Sequence, residues 1–126
     1  MGTINTACRI ENLRERSRSI GIPRLLVDTG SASTWILRST LECIGVTEVK
    51  KQRSFAMADG RTITRPVGFV VIRVGADVTT DEAVFAEPGE LQLLGARTLE
   101  GLRLRVDPVH KMLIPTGPAP AAHACA

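Results

Sequence analysis

Leu25-Leu26-Val27-Asp28-Thr29-Gly30-Ser31-Ala32-Ser33-Thr34-Trp35-Ile36 is the stretch that decides how this chain is read. Pro23 precedes a short apolar strand, Leu25 to Val27, that delivers Asp28 at its end, and Thr34 to Leu37 can make a second short strand beyond the loop. A carboxylate at the tip of an apolar strand, followed by a hydroxyl and then a glycine, is an unusual group to aim out of a small domain. One ordinary Asp is too acidic to be an effective base near neutrality. Two carboxylates sharing one proton remove that difficulty, because one stays charged to deprotonate water while the other, protonated, can donate to a carbonyl oxygen; such a pair titrates as a unit. Asp-Thr-Gly occurs once in 126 residues, so a pair must come from two copies of the chain about a two-fold axis. The competing reading of Asp28 is a buried acid that caps its own loop.

Working outward, Ile4, Thr6, Cys8 and Ile10 alternate with Asn5, Ala7 and Arg9, the period-two pattern of a half-buried strand, and a polar loop follows to about Gly21. Ser39 with Glu42 forms a capping box for a helix of one or two turns that Gly45 ends. Strand character returns from Val46 to Met57 and Ala58, and Asp59-Gly60 predicts a hairpin with a type I′ turn. Its second arm runs through Ile63, Val67, Phe69 and Val71 to Gly75, with Pro66 marking an edge or an irregularity, so a long hairpin projects from the body. Val84 and Phe85 begin another strand, Pro88-Gly89 turns, and Leu91, Leu93 and Leu94 lead into Gly95. Residues 96–100 predict a short helix ended by Gly101, followed by alternating Leu102, Leu104 and Val106, a turn at Asp107-Pro108, and Met112 to Ile114. The whole reads as one mostly β domain over residues 1–115. Residues 116–126, rich in Pro and Ala, read as a disordered tail.

Composition excludes several classes. At this length folding buries roughly two thirds of the surface of the unfolded chain, enough for one core and too little for a two-lobed enzyme. Arg and Lys exceed Asp and Glu by 16 to 13, a net charge of +3 that argues weakly for a nucleic-acid partner, and Arg14, Arg16 and Arg18 read as a solvated loop face. Cys8, Cys43 and Cys125 are widely spaced, with no pairing pattern and no Cys/His grouping suited to a metal, which reads as reduced thiols in a cytoplasmic protein. No stretch suggests export or a membrane span, and the Met1, Gly2, Thr6 match to a myristoylation pattern is set aside because Ile4 begins a strand. Asp59, Asp77, Asp81 and Asp107 read as solvated turn acids, His110 as a surface residue and His123 as part of the tail. Ser33 and Ser39 have no visible base, and neither a Gly-rich phosphate loop nor an H-E-x-x-H motif occurs.

The segment Leu26 to Ile36 resembles the active-site segment of aspartic peptidases, with Ser31, Trp35 and Ile36 similar to the first lobe of the pepsin-like members. The length instead resembles the single-domain, retropepsin-like branch. Leu93-Leu94-Gly95 resembles the apolar-apolar-Gly element that braces the active-site loop there, Ala58-Asp59-Gly60 stands where that family carries its flap, and the order of motifs over residues 4–115, including Leu99-Glu100-Gly101-Leu102 and Val106-Asp107-Pro108, resembles a group of small bacterial and archaeal members. The resemblance implies an all-β, closed barrel-like domain with a flap hairpin and one or two short helices, working as a homodimeric endopeptidase on extended peptides, without cofactor, metal or membrane. It implies that Asp28 activates water, that Thr29 reaches to the partner chain's loop, that Gly30 permits close backbone approach of substrate, and that Met57, Ala58, Asp59 and Gly60 offer flap backbone to it. Ala32 and Trp35 fall at substrate-facing positions, although Trp35 suits a core anchor equally well; Leu94 and Gly95 support the loop. Retroviral members pair an acid two residues after the Asp-Thr-Gly glycine with an arginine after the later glycine. This chain has Ala32 and Ala96 there, both partners being absent together, and Arg97 one place on. A silent peptide-binding module and a dimerisation domain of the same fold are the alternatives to catalysis.

Overall fold

The computed structural model describes residues 3–118, 120 and 121. Nine strands and two short helices follow one another among these residues: β1 (Ile4–Asn12), β2 (Ser19–Val27), β3 (Thr34–Leu37), α1 (Arg38–Cys43), β4 (Lys50–Ala56), β5 (Thr62–Val74), β6 (Asp77–Ala86), β7 (Leu93–Leu94), α2 (Ala96–Leu102), β8 (Leu104–Asp107) and β9 (Met112–Pro115). Seven strands form one mixed sheet in the order β1-β2-β7-β3-β6-β5-β4, and β8 with β9 forms a separate ribbon. Most neighbours are antiparallel, but β2 with β7 and β3 with β6 run parallel.

The expected closed barrel is not what these strands make. β1 does turn back to pair with β5 over Arg9–Asn12, yet β4 lies beyond β5 as an edge with no outer partner among the described residues. On the far side, β7 is two residues long and meets β3 through Trp35 and Leu93 alone. Closure removes every edge in a true barrel, whereas here the β7–β3 join is one residue pair and the outer edge of β4 stays free among the described residues. The domain is a mixed sheet and not a closed barrel.

Alternation sorts the side chains into two apolar clusters. Ile10, Leu25, Ile36, Val70, Ile72, Phe85 and Leu94 lie at the centre of the larger one, closed by Leu41 and Ile44 around α1 and by Leu99, Leu102 and Leu104 around α2. Trp35, Val67, Val84, Ala86 and Leu93 form the smaller, against which Phe55, Met57 and Ile63 of the hairpin pack partly buried. The run Ala83 to Ala86 is buried on both faces because Ala83 and Phe85 enter the larger cluster and Val84 and Ala86 the smaller.

Several local expectations change. The strand through Val84 and Phe85 begins seven residues earlier, at Asp77, because Gly75, with φ +58°, turns β5 tightly into β6. β2 likewise starts at Ser19, before Gly21 and Pro23. Pro66 lies just to the tip side of Val67, where β5 has parted from β6 and is bonded to β4 alone, and the facing β4 shifts register there, between Lys50 and Arg53. Ser39 is inside α1 and no side chain caps that helix, so the capping box is absent; the Leu37 N–H donates instead to Gln92 Oε1 at 3.0 Å. Gly45 does follow the helix end, its N–H on Glu42 O. α2 continues through Gly101, and Arg103 takes the left-handed C-cap position at φ 57°. Among the described tail residues, Thr116 donates to Arg103 O, and 117, 118, 120 and 121 carry no helix or strand; His123 and Cys125 lie outside the described residues.

Candidate active site

Asp28 sits directly after β2, half-buried, at the point where β7 wedges between β2 and β3. That wedge is the reason for the loop. Leu26 and Val27 pair with Leu93 and Leu94, so the strands before and after Asp28 cannot pair with each other and residues 28–33 open into a loop. The Asp28 N–H donates to Leu94 O at 3.0 Å, the Gly30 N–H to Asp28 Oδ1 at 2.9 Å and the Ser31 N–H to Asp28 O at 3.2 Å. The carboxylate is thereby oriented by its own loop through one oxygen, and Oδ2 takes no hydrogen bond among the described residues. Thr29 and Gly30 are exposed beside it.

Gly95 holds the loop from beneath. A Cβ on Gly95 would lie 2.3 Å from Ser33 O and 2.9 Å from Ser31 O, a contact that backbone cannot relieve without moving the loop. The start of α2 then ties down the same loop: Ala96 and Arg97 N–H groups donate to Ser31 O at 2.7 Å and Ala32 O at 3.1 Å. Below them the Gly95 N–H donates to Thr34 Oγ1 at 2.9 Å, Thr34 and Thr98 hydroxyls share a hydrogen bond of 2.6 Å, and Thr98 Oγ1 donates to Asp81 Oδ2 at 2.7 Å. Thr34 and Thr98 are fully buried, so this chain keeps every polar group satisfied under the loop.

A cleft of about 610 Å³ opens in front of Asp28. Its floor carries Gly30, Ser31, Ala32 and Ser33; Trp35 and Leu93 form the deep wall; Phe55, Ala56, Met57 and Ala58 come from the hairpin and Glu90 and Leu91 from the loop after β6. Trp35 is 8% exposed and its ring lies 5.2 Å from that of Phe55, tilted by 59°. It is thus a core anchor and a cleft wall at once. The hairpin tip is not a type I′ turn: only Gly60 has positive φ, at +89°, while the Gly60 N–H donates to Met57 O and the Met57 N–H to Arg61 O. Such a turn, with its left-handed glycine at the third position, forms the longer hairpin loop that ends in a bulge. Asp59 accepts from Arg61 N–H and Nε, and neither it nor Gly60 lines the cleft. Of the residues singled out in the sequence, Asp28, Gly30, Ala32, Trp35, Met57 and Ala58 come together around the cleft; Asp59, Gly60 and Thr29 do not line it, and Leu94 and Gly95 stand behind the loop.

Residues 20–102 match the family model for aspartyl proteases. The chain belongs to the aspartyl protease family. No curated protein matches it closely enough to be named beside it. In this aspartyl protease domain Arg97, the candidate stand-in for the missing acid and arginine at Ala32 and Ala96, turns to Asp81 and Glu82 at 3.7 and 3.8 Å and not to the active-site loop. Its backbone, and not its charge, supports the loop.

Sequence reasoning misplaced Asp81, which is no solvated turn acid but the acceptor beneath Thr98; nothing in a lone Asp signals such a partner 17 residues away. It also passed over Phe55, Glu90 and Leu91, which enter the cleft from elements distant in sequence. Arg16 is not simply solvated either: with Arg73 it holds the buried Glu11, at 2.5 and 2.6 Å. Burial pushes the Glu11 carboxyl upward, and hydrogen bonds from Arg16 and Arg73 outweigh it, so the group titrates below its ordinary range. Burial pushes the Cys8 thiol up to about 12, which makes it inert, whereas Cys43 is exposed. Among the described residues there is no group of three or more His, Cys, Asp or Glu side chains able to hold a metal, and no helix is long and apolar enough to cross a membrane.

Proposed function

We propose that this aspartyl protease family member is an endopeptidase that works as a homodimer, each copy supplying one Asp28. The observation that carries the reading is the placement of a single Asp-Thr-Gly loop at the floor of a cleft, with Asp28 Oδ1 held by Gly30 and Oδ2 left without a protein donor among the described residues. A second carboxylate brought against Oδ2 by a two-fold axis would share its proton, the arrangement for which aspartic proteases are the established case. The ionised Asp28 then takes a proton from water as that water adds to the peptide carbonyl, and the protonated Asp28 donates to the carbonyl oxygen. Collapse of the tetrahedral intermediate passes a proton to the leaving nitrogen and releases both fragments, with no covalent enzyme intermediate. An extended peptide suits the cleft, with main-chain hydrogen bonds to the Gly30 region and to the hairpin at Met57 and Ala58, and alternate side chains against Trp35, Phe55 and Leu93. In this reading Thr29, exposed on the loop, reaches to the partner's loop, and the hairpin tip folds over the substrate.

Asp28→Asn tests this directly. Turnover of a denatured-protein substrate should fall by more than about 10³-fold with fold and dimer retained, since the two carboxylates act as one unit. Wild-type activity should fall faster than linearly on dilution through dimer dissociation, and an excess of Asp28→Asn chains should poison it after subunit exchange. Activity that tracked the amount of wild-type chain would overturn the shared site. A dimer that binds peptide without cleaving it would instead identify a silent module.

A further inference from the structure

β5 pairs with β6 only as far as Val67, opposite Val84; towards the tip it is bonded to β4 alone, and the hairpin arm from Arg65 onward parts from β6. Something must set where that arm stands relative to the opposite wall. Arg65 is the first charged side chain on it, and it crosses to the loop after β6, where Nε donates to Glu90 Oε1 at 3.0 Å and Nη2 donates to Glu90 Oε2. Both side chains are about three-quarters buried, with exposures of 22% and 23%, and the fork is bidentate, which favours one fixed geometry over a loose surface pair. Glu90 is itself anchored. Its Oε1 accepts the Glu87 N–H at 2.7 Å, its N–H donates to Glu87 O across the Pro88-Gly89 turn, and Glu87 accepts from Arg38 Nε at 2.9 Å. The chain of contacts runs from α1 through a rigid turn to the hairpin, and Arg65–Glu90 is the one ionic link between hairpin and that loop among the described residues. Glu90 also lines the cleft, so with Arg65 on it the wall beside Leu91 carries no net charge.

We propose that Arg65 and Glu90 are positioning residues that tie the β4–β5 hairpin to the opposite wall and set the width of the cleft in front of Asp28. The effect on peptide hydrolysis rests on the peptidase reading; the tie itself does not. Trp35 is the single tryptophan, and its ring packs on Phe55 of the hairpin, so its emission reports hairpin position without any substrate. The experiment compares wild type with Arg65→Gln, Glu90→Gln, both together, and the charge-exchanged Arg65→Glu/Glu90→Arg pair. Arg61→Gln serves as control, since it breaks an ion pair confined to the exposed tip.

Acrylamide quenching of Trp35 should rise about 2-fold in each single variant, and amide exchange over residues 54–57 and 62–65 should quicken roughly 5-fold, because local opening is what loses its restraint. The double variant should do no more than either single one, since both remove the same interaction. The exchanged pair should restore much of the wild-type signal, Arg61→Gln should leave it unmoved, and KM should rise with kcat within about 2-fold. Unchanged quenching and hairpin exchange in both single variants would overturn the proposal. So would loss of protection across β1, β5 and β6 together, which would make the pair a stabiliser of the whole domain. Hairpin opening in variants of a protein whose wild type cleaves nothing would leave the tie standing and sink the peptidase reading alone.

Discussion

Ile36 and Trp35 are neighbours on one short strand, paired with Phe85 and Val84 of the next, yet they belong to different worlds. Ile36 and Phe85 face the larger cluster and are 0% and 1% exposed; Trp35 and Val84 face the smaller one, which ends at the cleft. Period-two alternation separates the two faces, but what covers each face decides its role. The larger cluster is closed by strands, by both helices and by Leu113 of β9, and it holds the sheet together. The smaller is closed by a hairpin whose Phe55, Met57 and Ile63 stay partly exposed, so its aromatic pair borders the cleft. The same sheet thus carries a sealed core on one face and, in the reading proposed above, the recognition surface on the other.

Truncating one aromatic on each side tests that division most severely. Phe85→Ala should destabilise the domain by about 3–5 kcal/mol through lost burial and a cavity, whereas Phe55→Ala, partly exposed, should cost about 1 kcal/mol in denaturant unfolding while weakening peptide binding. Equal losses of stability would erase the distinction between the faces.

The site depends on the core beneath it through the hydroxyl chain Thr34, Thr98 and Asp81. Thr98→Val keeps the shape but strands Asp81 Oδ2 and the Thr34 hydroxyl hydrogen, which donates to Thr98 Oγ1, so it should cost about 2 kcal/mol and also lower activity by loosening the loop that α2 braces. Chemical unfolding and kinetics on the same variant check both halves; a stability loss with full activity would uncouple the brace from the catalytic loop.

The smallest expected effect lies at the far end of the sheet, where Glu11 is held by Arg16 and Arg73. Its carboxyl titrates lower in the folded chain than in the unfolded one, so the ionised form adds stability above about pH 4.3, the ordinary glutamate value. That contribution disappears as pH falls through the lower folded value. Because Arg16 and Arg73 are 49% and 39% exposed, Glu11→Gln should cost only about 1 kcal/mol at neutral pH. The gap in melting temperature between variant and wild type should narrow below about pH 4. A gap that widened in acid would show that the carboxylate is not stabilised by its arginines.

By itself the sequence determined the strand that leads into Asp28, the loop glycine, the family and a mostly β domain, because these rest on local signals: apolar runs, alternation, turn residues and a specific triplet; the brace at Leu94 and Gly95 came through the family resemblance. It determined neither the partners of Asp81 and Glu11 nor the cleft roles of Phe55 and Glu90, which arise from contacts between elements far apart in the chain. Nor did it determine that the sheet stays open. Closure is a property of lateral pairing, and whether a two-residue strand can seal β2 to β3 depends on how the wedge of Leu93 and Leu94 is held from both sides. Local pattern chooses which face of a strand is apolar; only the packing of all strands decides whether that face is sealed into a core or left open as a cleft.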